Sequence, residues 1–230
     1  MHSPVEQFAI KVLFALNLFG FDIQFTNSAL FMVLAVLVSS VFLYMAMKPA
    51  AVIPGRMQGL AEMLYEFVAD MVRSNVGNEG KPYFPFIFTL FIFVLFSNLL
   101  GLIPYSYTTT SQIVVTFAMA IVIFLGVTVI ALIKHGLHFF SFFVPAGAPK
   151  VLIPFLVLIE VISYFVRPVS LSVRLFANML AGHTMLKVFG GLAVMIASAG
   201  GVFVAGSILP LVAIVGLTGL EILVAVLQAY

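Results

Sequence analysis

Long apolar runs are the feature that most constrains the fold of this chain. A helix needs about 20 mainly apolar residues to cross the hydrocarbon core of a bilayer, and five stretches reach or exceed that length. Hydrophobic residues make up 63% of the chain and charged residues 8%, a balance suited to lipid and not to water. The sequence therefore predicts an all-α membrane protein that forms a single membrane domain. The expected spans are 26–47, 83–104, 112–133, 151–189 and 202–230, and an amphipathic surface helix is expected over 55–76.

Several kinds of site are excluded by residue types that the chain lacks. It contains no cysteine, so neither disulfides nor thiolate metal sites are possible. The net charge of +2 includes no basic cluster, which argues against nucleic acid as a partner. His135 and His138 have no third metal ligand near them, so we interpret KHGLH as an interfacial loop. We expect neither a metal nor a cofactor.

The ends of the chain carry two further expectations. Residues 1–22 include Glu6 and Asp22 and lack a basic leader with a cleavage site, so we do not interpret them as a removed signal peptide. The last apolar run stops at Tyr230 without a polar tail, which suggests that the natural chain continues.

The loop charges predict the orientation in the membrane. The loops 48–82 and 134–150 contain lysine and arginine, whereas 105–112 has no charge. By the positive-inside rule the two basic loops face the cytoplasm or matrix, and the N-terminus lies on the other side. Tyrosines near the segment ends are expected to anchor the helices at the interface, and these are Tyr44, Tyr83, Tyr105 and Tyr107.

The predicted surface helix has two distinct faces. Met57, Leu60 and Leu64 recur at helical spacing, and Glu62, Glu66 and Asp70 follow one another every four residues on another face. We interpret the acidic face as solvated, and docking of a partner subunit remains the alternative.

Arg174 is a charged residue within a long apolar segment, where a charge is unexpected. Its guanidinium stays protonated at any ordinary pH, and an arginine at the bilayer centre costs on the order of 3 kcal/mol on insertion scales. A residue kept at that cost is expected to have a function.

The segment around Arg174 is unusually long. Residues 151–189 would extend to nearly twice the hydrocarbon thickness at about 1.5 Å per residue. Because a proline usually kinks an apolar helix without ending it, we predict one long, strongly tilted helix that continues through Pro168. The following GGLAVMIASAGG is predicted to form the hairpin that leads to the last helix.

Polar residues on this segment share one helical face. At about 100° per residue, they lie within roughly 40° of Arg174. We call this set the polar stripe: Glu160, Ser163, Arg167, Ser170, Arg174 and Asn178. His183 falls on the opposite face, and the last helix carries Glu221 and Gln228 two turns apart.

A purely structural explanation is that these groups neutralise one another. Glu221 would pair with Arg174, and the serines would bond to backbone carbonyls. Glu160 lies about 21 Å from Arg174 along a helix, too far for a direct pair. If Glu221 is the counterpart of His183, the remaining source of compensation is a carboxylate on another protein.

The segment RPVSLSVRLFANMLAGH resembles the signature of subunit a of the F-type ATP synthases, and the resemblance extends from about residue 26 onward. SNLLGLIPYSYTTTSQ and EILVAVLQAY are similar to two further blocks of that family. The resemblance implies a stator subunit that conducts protons to and from a rotating ring of c subunits, each with one essential carboxyl group.

The resemblance also implies roles for individual residues. Arg174 matches the arginine that faces the ring and separates the two access paths, and Asn178 and Gln228 match its polar neighbours. Glu160 and Ser163 match positions on the cytoplasmic path. His183 and Glu221 match an acid and imidazole pair on the opposite path, in an order exchanged relative to many bacterial members.

The implied partners are the c-subunit ring, b-type subunits of the peripheral stalk, the F1 sector and the lipid membrane. The bacterial inner membrane is the expected location, with the mitochondrial inner membrane as the alternative. No phosphate-binding loop or hydrolase motif occurs, so ATP chemistry is expected on partner subunits. The alternatives are an independent ion channel or secondary transporter, and a structural membrane anchor.

Overall fold

The computed structural model describes residue 10, residues 12–18, 21–48, 51, 53–103, 106–144, 152–198 and 206–230. Two compact units are distinguished. The first comprises Met1–Thr109 together with Met179–Tyr230, and the second is Thr110–Asn178. One long helix contributes residues to both units.

Helices dominate the described residues. They are α1 (Asn27–Met47), α2 (Arg56–Val76), α3 (Phe84–Gly101), α4 (Ile113–His135), α5 (Ile153–Ser198) and α6 (Ile208–Ala229). Tight 3-10 segments cover Gly77–Tyr83, Thr109–Ser111 and Gly136–Phe143. Within the described ranges, five helices are long and apolar enough to cross a membrane, so the predicted class of all-α membrane protein is confirmed.

Many apolar side chains of these helices are exposed on the protein surface, where they can contact lipid. Val114 is 74% exposed, Val194 70% and Leu209 78%. In a bilayer the helix satisfies its own backbone hydrogen bonds, so its outer surface can be wholly aliphatic.

A short antiparallel hairpin precedes α1, and the sequence interpretation did not include it. Strand β1 (Val12–Leu18) pairs with β2 (Phe21–Thr26), with Leu18 opposite Phe21. Thr26 then caps α1, because its Oγ1 accepts a hydrogen bond of 3.4 Å from the Ala29 N–H.

The first unit is held together by α2 against α3. A core of Val68, Val72, Phe91, Ile92 and Leu95 joins the two helices. Helix α2 ends at Gly77, whose φ of 70° is readily available only to glycine. Of the apolar face expected over 55–76, Leu64 packs against this core, whereas Met57 and Leu60 are exposed.

The second unit is built on α4 and the first part of α5. Thr128 Oγ1 and Tyr164 Oη lie 2.6 Å apart in a hydrogen bond, and the Tyr164 ring lies 4.8 Å from that of Phe124. Two rings of the Gly136–Phe143 segment complete this aromatic cluster, Phe139 at 6.2 Å and Phe143 at 5.5 Å from Tyr164.

Helix α5 confirms the predicted continuity through Pro168 and contradicts the predicted hairpin that follows it. It is a single helix through Pro168, as expected. The hairpin predicted over GGLAVMIASAGG is wrong, because α5 continues to Ser198; the last three residues of that motif lie outside the described residues. Leucine, alanine and methionine favour helix, and in lipid the helix keeps the backbone of Gly190 and Gly191 hydrogen-bonded.

Three of the expected anchors can be placed and one cannot. Tyr83, at the end of the Gly77–Tyr83 segment, is half-buried. Tyr44 is 65% exposed, near the end of α1. Tyr107 is 6% exposed, and its ring lies 6.1 Å from that of Phe31, so it packs inside the protein. Tyr105 lies outside the described residues.

Candidate functional site

The polar stripe lies on the outer surface of α5. Arg174 and Asn178 are exposed, as are Ser163, Arg167 and Ser170, and Glu160 is half-buried. The Arg174 side chain, whose placement in lipid is costly, is therefore accessible on the surface of α5.

One ion pair within the stripe was not predicted. Arg167 Nη2 lies 3.6 Å from Glu160 Oε1, and the Arg167 guanidinium also lies over the Tyr164 ring at 5.6 Å. Residues seven apart stand two turns apart on one face, and a long arginine side chain bridges that distance. Glu160 thus has Arg167 as its counterion.

The first unit holds a second, buried group of polar residues. Glu221 on α6 is 6% exposed, and both of its carboxylate oxygens lack a hydrogen-bond partner among the described residues. His183 on α5 is half-buried, and its Nε2 lies 3.2 Å from Thr108 Oγ1. We call Thr108, Gly182, His183 and Glu221 the acid–imidazole cluster.

Gly182 is what allows Glu221 to approach α5. A Cβ atom at position 182 would clash with Glu221 Oε1 and would lie 2.9 Å from its Cδ and 3.1 Å from its Cγ. Only a glycine leaves room for the carboxyl group, because a real Cβ essentially never approaches a heavy atom so closely. The acid therefore packs against the residue that precedes His183.

A polar residue on α3 contacts α6 one turn beyond Glu221, and sequence reasoning left it without a role. Asn98 on α3 is completely buried and donates a hydrogen bond of 3.4 Å from Nδ2 to the Ala225 carbonyl of α6. Gln228, one turn further along α6, is half-buried. An asparagine alone in FIFVLFSNLLG is the signal that marks this position.

Thr108 is the other residue that sequence reasoning missed. It is 3% exposed although it lies in a polar loop. Four consecutive hydroxyl residues without a charge, TTTS, are the signal that could have identified a buried polar loop.

The histidines of KHGLH lie elsewhere. His135 ends α4 and His138 follows it, and both are exposed with their rings against Phe142, at 5.4 Å and 6.3 Å. Among the described residues, no group of three or more His, Cys, Asp or Glu is arranged to hold a metal ion.

The fold and these residues identify the class of protein. It is a multi-pass helical membrane protein with titratable side chains inside its spans. Residues 29–230 match the ATP synthase A chain family. The chain belongs to this family, the subunit a family of F-type ATP synthases, as the signature around Arg174 predicted.

Individual relatives agree with this assignment over the full chain. ATP synthase subunit a of Parvibaculum lavamentivorans is 53% identical over 228 residues, which cover 99% of this chain and 88% of the relative. The Rhodospirillum rubrum protein of the same name is 53% identical over 230 residues, which cover 100% and 93%. That of Mesorhizobium japonicum is 54% identical over 228 residues, which cover 99% and 90%.

These findings support a multi-pass membrane subunit of an ATP synthase complex with a general role in proton translocation. These three relatives come from alphaproteobacteria.

Proposed function

We propose that this chain conducts protons through two offset half-channels at its contact with a rotating c-subunit ring, and so couples the proton-motive force to rotation and ATP synthesis. The observation that carries the proposal is Arg174, a permanent charge on the exposed face of an apolar helix. Family membership supports the proton-translocating role in general.

Arg174 acts on a carboxylate that another protein presents. A guanidinium and a carboxylate about 4 Å apart attract each other by roughly 4 kcal/mol at an effective dielectric near 20. This attraction favours the deprotonated form of each arriving ring carboxyl group. A membrane potential contributes about 2.3 kcal/mol per charge per 100 mV, so the pair forms and is released again as the ring turns.

The acid–imidazole cluster forms one access path. A proton passes along Glu221 and His183 to neutralise a ring carboxylate, which then crosses lipid without a buried charge. The burial of Glu221 against Gly182 supports this role, because it keeps a titratable group inside the span, packed on the residue that precedes His183.

The polar stripe forms the other path. After nearly a full turn the ring carboxyl group releases its proton toward Ser163 and Glu160. Asn178 and Gln228, the positions that match the arginine's polar neighbours in the family, supply amide groups that hold water without carrying charge. Arg174 stands between the two paths and blocks direct passage of protons.

The remaining partners follow from this arrangement. A stator must be held against the torque of the ring, so b-type peripheral stalk subunits bind this chain and connect it to the F1 sector. We place the complex in the bacterial inner membrane.

Substitution of Arg174 tests the proposal. In inverted membrane vesicles, Arg174→Ala is expected to abolish ATP-driven proton pumping while the chain still assembles, because an exposed side chain contributes little to packing. Arg174→Lys keeps a charge but loses the planar fork and is expected to pump poorly. Arg56→Ala, an exposed arginine at the start of α2, is the matched control.

Native pumping by Arg174→Ala would refute the proposed mechanism and favour a structural anchor. A second measurement is purification in mild detergent, from which a c-type subunit should copurify. Isolation of this chain without such a partner would contradict the stator role.

A further inference from the structure

We propose that Thr108 is a positioning residue that sets the orientation and tautomer of the His183 ring. The inference rests on the proposed proton path and adds a residue from a loop to it. Its basis is one hydroxyl group that reaches both the end of α3 and the imidazole.

The Thr108 hydroxyl is tied to the C-terminus of α3. Its Oγ1 lies 3.4 Å from the Gly101 carbonyl oxygen and donates to it. The last carbonyls of a helix have no partner within the helix, and here loop hydroxyls supply one. Ser106 does the same, donating to Leu100 O at 2.6 Å and to Gly101 O at 3.1 Å.

Packing fixes the Thr108 side chain in this place. A Cβ atom at Gly101 would lie 2.6 Å from Thr108 Cγ2 and 3.0 Å from its Oγ1. The methyl group therefore fills the space that the glycine leaves open, and the side chain is 3% exposed. Its hydroxyl has little freedom to turn away from the neighbouring histidine.

The direction of the bond at His183 is assigned from the proton count. A threonine hydroxyl has one proton and two acceptor lone pairs. We assign the proton to Gly101 O, because a carbonyl oxygen can only accept whereas an imidazole nitrogen can donate, and Oγ1 then presents a lone pair to His183 Nε2 at 3.2 Å. The imidazole then donates from Nε2, and in its neutral form the other ring nitrogen, Nδ1, carries the lone pair.

The tautomer decides which nitrogen takes up a travelling proton. With Nε2 held by Thr108, a proton enters His183 at Nδ1. Thr108 does not exchange protons itself, and it acts by keeping the ring in one orientation and one protonation pattern. A loop at the end of α3 thereby controls a residue on α5.

Two substitutions separate the hydroxyl from the methyl group. Thr108→Val keeps the shape against Gly101 but removes the hydrogen bond, whereas Thr108→Ser keeps the hydroxyl and loses the methyl group. We expect Thr108→Val to lower ATP-driven proton pumping about fivefold per assembled complex, the effect of one lost hydrogen bond. Thr108→Ser should stay within about twofold of the native rate.

The control is Thr116→Val, the same change at another buried threonine. Thr116 is 1% exposed, and its hydroxyl donates to carbonyls of its own helical turn, those of Gln112 at 3.4 Å and Ile113 at 3.1 Å. This variant should pump at the native rate. The rates are measured in vesicles and divided by the amount of chain in the assembled complex, so that poor assembly does not count as poor pumping.

A second measurement asks whether Thr108 acts through His183. In a His183→Gln background, Thr108→Val should cause no further loss, because the ring that it positions is gone. A merely structural role would lower the rate by the same factor in both backgrounds.

Equal losses for the valine and serine variants, or native pumping by Thr108→Val, would overturn the inference. Its failure is distinct from failure of the proposed function. If Arg174→Ala is inactive and Thr108→Val is normal, the proton path stands and only the role of Thr108 is refuted.

Discussion

The polar stripe and the acid–imidazole cluster are two polar groups in an apolar chain, and they differ in what surrounds them. The stripe exposes Arg174 and Asn178 on the surface of α5, whereas the cluster buries Glu221 against Gly182. An exposed arginine on a membrane helix is accessible to a charge on another protein, whereas a buried acid depends on the packing of its own chain. The stripe is therefore suited to a partner, and the cluster to a fixed internal path.

After the complete loss of pumping expected for Arg174→Ala, the next largest effect tests whether His183 and Glu221 work as a pair. His183→Ala and Glu221→Ala should each lower ATP-driven proton pumping by about a hundredfold, the loss of one positioned proton donor. Exchanging the two residues, by His183→Glu with Glu221→His, should restore part of the activity because an acid and an imidazole are again present.

Additive losses in the exchanged variant would show that the two residues do not act together. Arg73→Ala, an exposed position at the end of α2, serves as the control and should pump normally.

The second prediction tests the space that Gly182 provides. Gly182→Ala places a methyl group against the Glu221 carboxyl group, so α5 or α6 must shift. Overpacking of this kind costs about 1–3 kcal/mol. We expect a lower unfolding temperature in detergent and a clear loss of pumping.

Gly190→Ala is the matched control on the same helix, because a Cβ there meets nothing within 4 Å. It should be stabilising by up to about 1 kcal/mol from helix propensity. Similar behaviour of the two variants would contradict the close approach of Glu221.

The third prediction concerns the support beneath the stripe. Tyr164→Phe removes the hydroxyl that bonds to Thr128 but keeps the ring among its aromatic neighbours. Thr128 still donates to Phe124 O at 2.7 Å, so the loss should be only about 0.5–1 kcal/mol. The unfolding temperature of the purified complex measures it, with pumping unchanged. A large drop in pumping would mean that this hydroxyl belongs to the proton path.

The smallest effect on stability is expected at the Glu160–Arg167 pair. With side chains 45% and 64% exposed, such a pair contributes about 0–1 kcal/mol. Glu160→Gln should leave the unfolding temperature almost unchanged while slowing proton release several-fold. Arg167→Gln tests the pair from its other side. A strongly destabilised Glu160→Gln variant would show that the stripe is structural.

The sequence was sufficient for the features that depend on local pattern. Apolar length predicted membrane helices, and helical periodicity predicted the side of α5 on which Arg174 and Glu160 lie. The signature around Arg174 predicted the family, which the relatives confirm. The hairpin over GGLAVMIASAGG was wrong because glycine is a weak helix breaker in lipid, where an open backbone costs more than glycine's low propensity.

Helix class, membrane location and family were thus determined by the sequence alone, since each depends on composition and order along the chain. Only the tertiary structure decided that Glu160 pairs with Arg167, that Gly182 makes room for Glu221, and that Thr108 reaches His183. The physical reason is that these contacts join residues through the packing of side chains. A distance of 3.2 Å between residues 75 positions apart is set by how helices and loops meet, which no periodicity encodes.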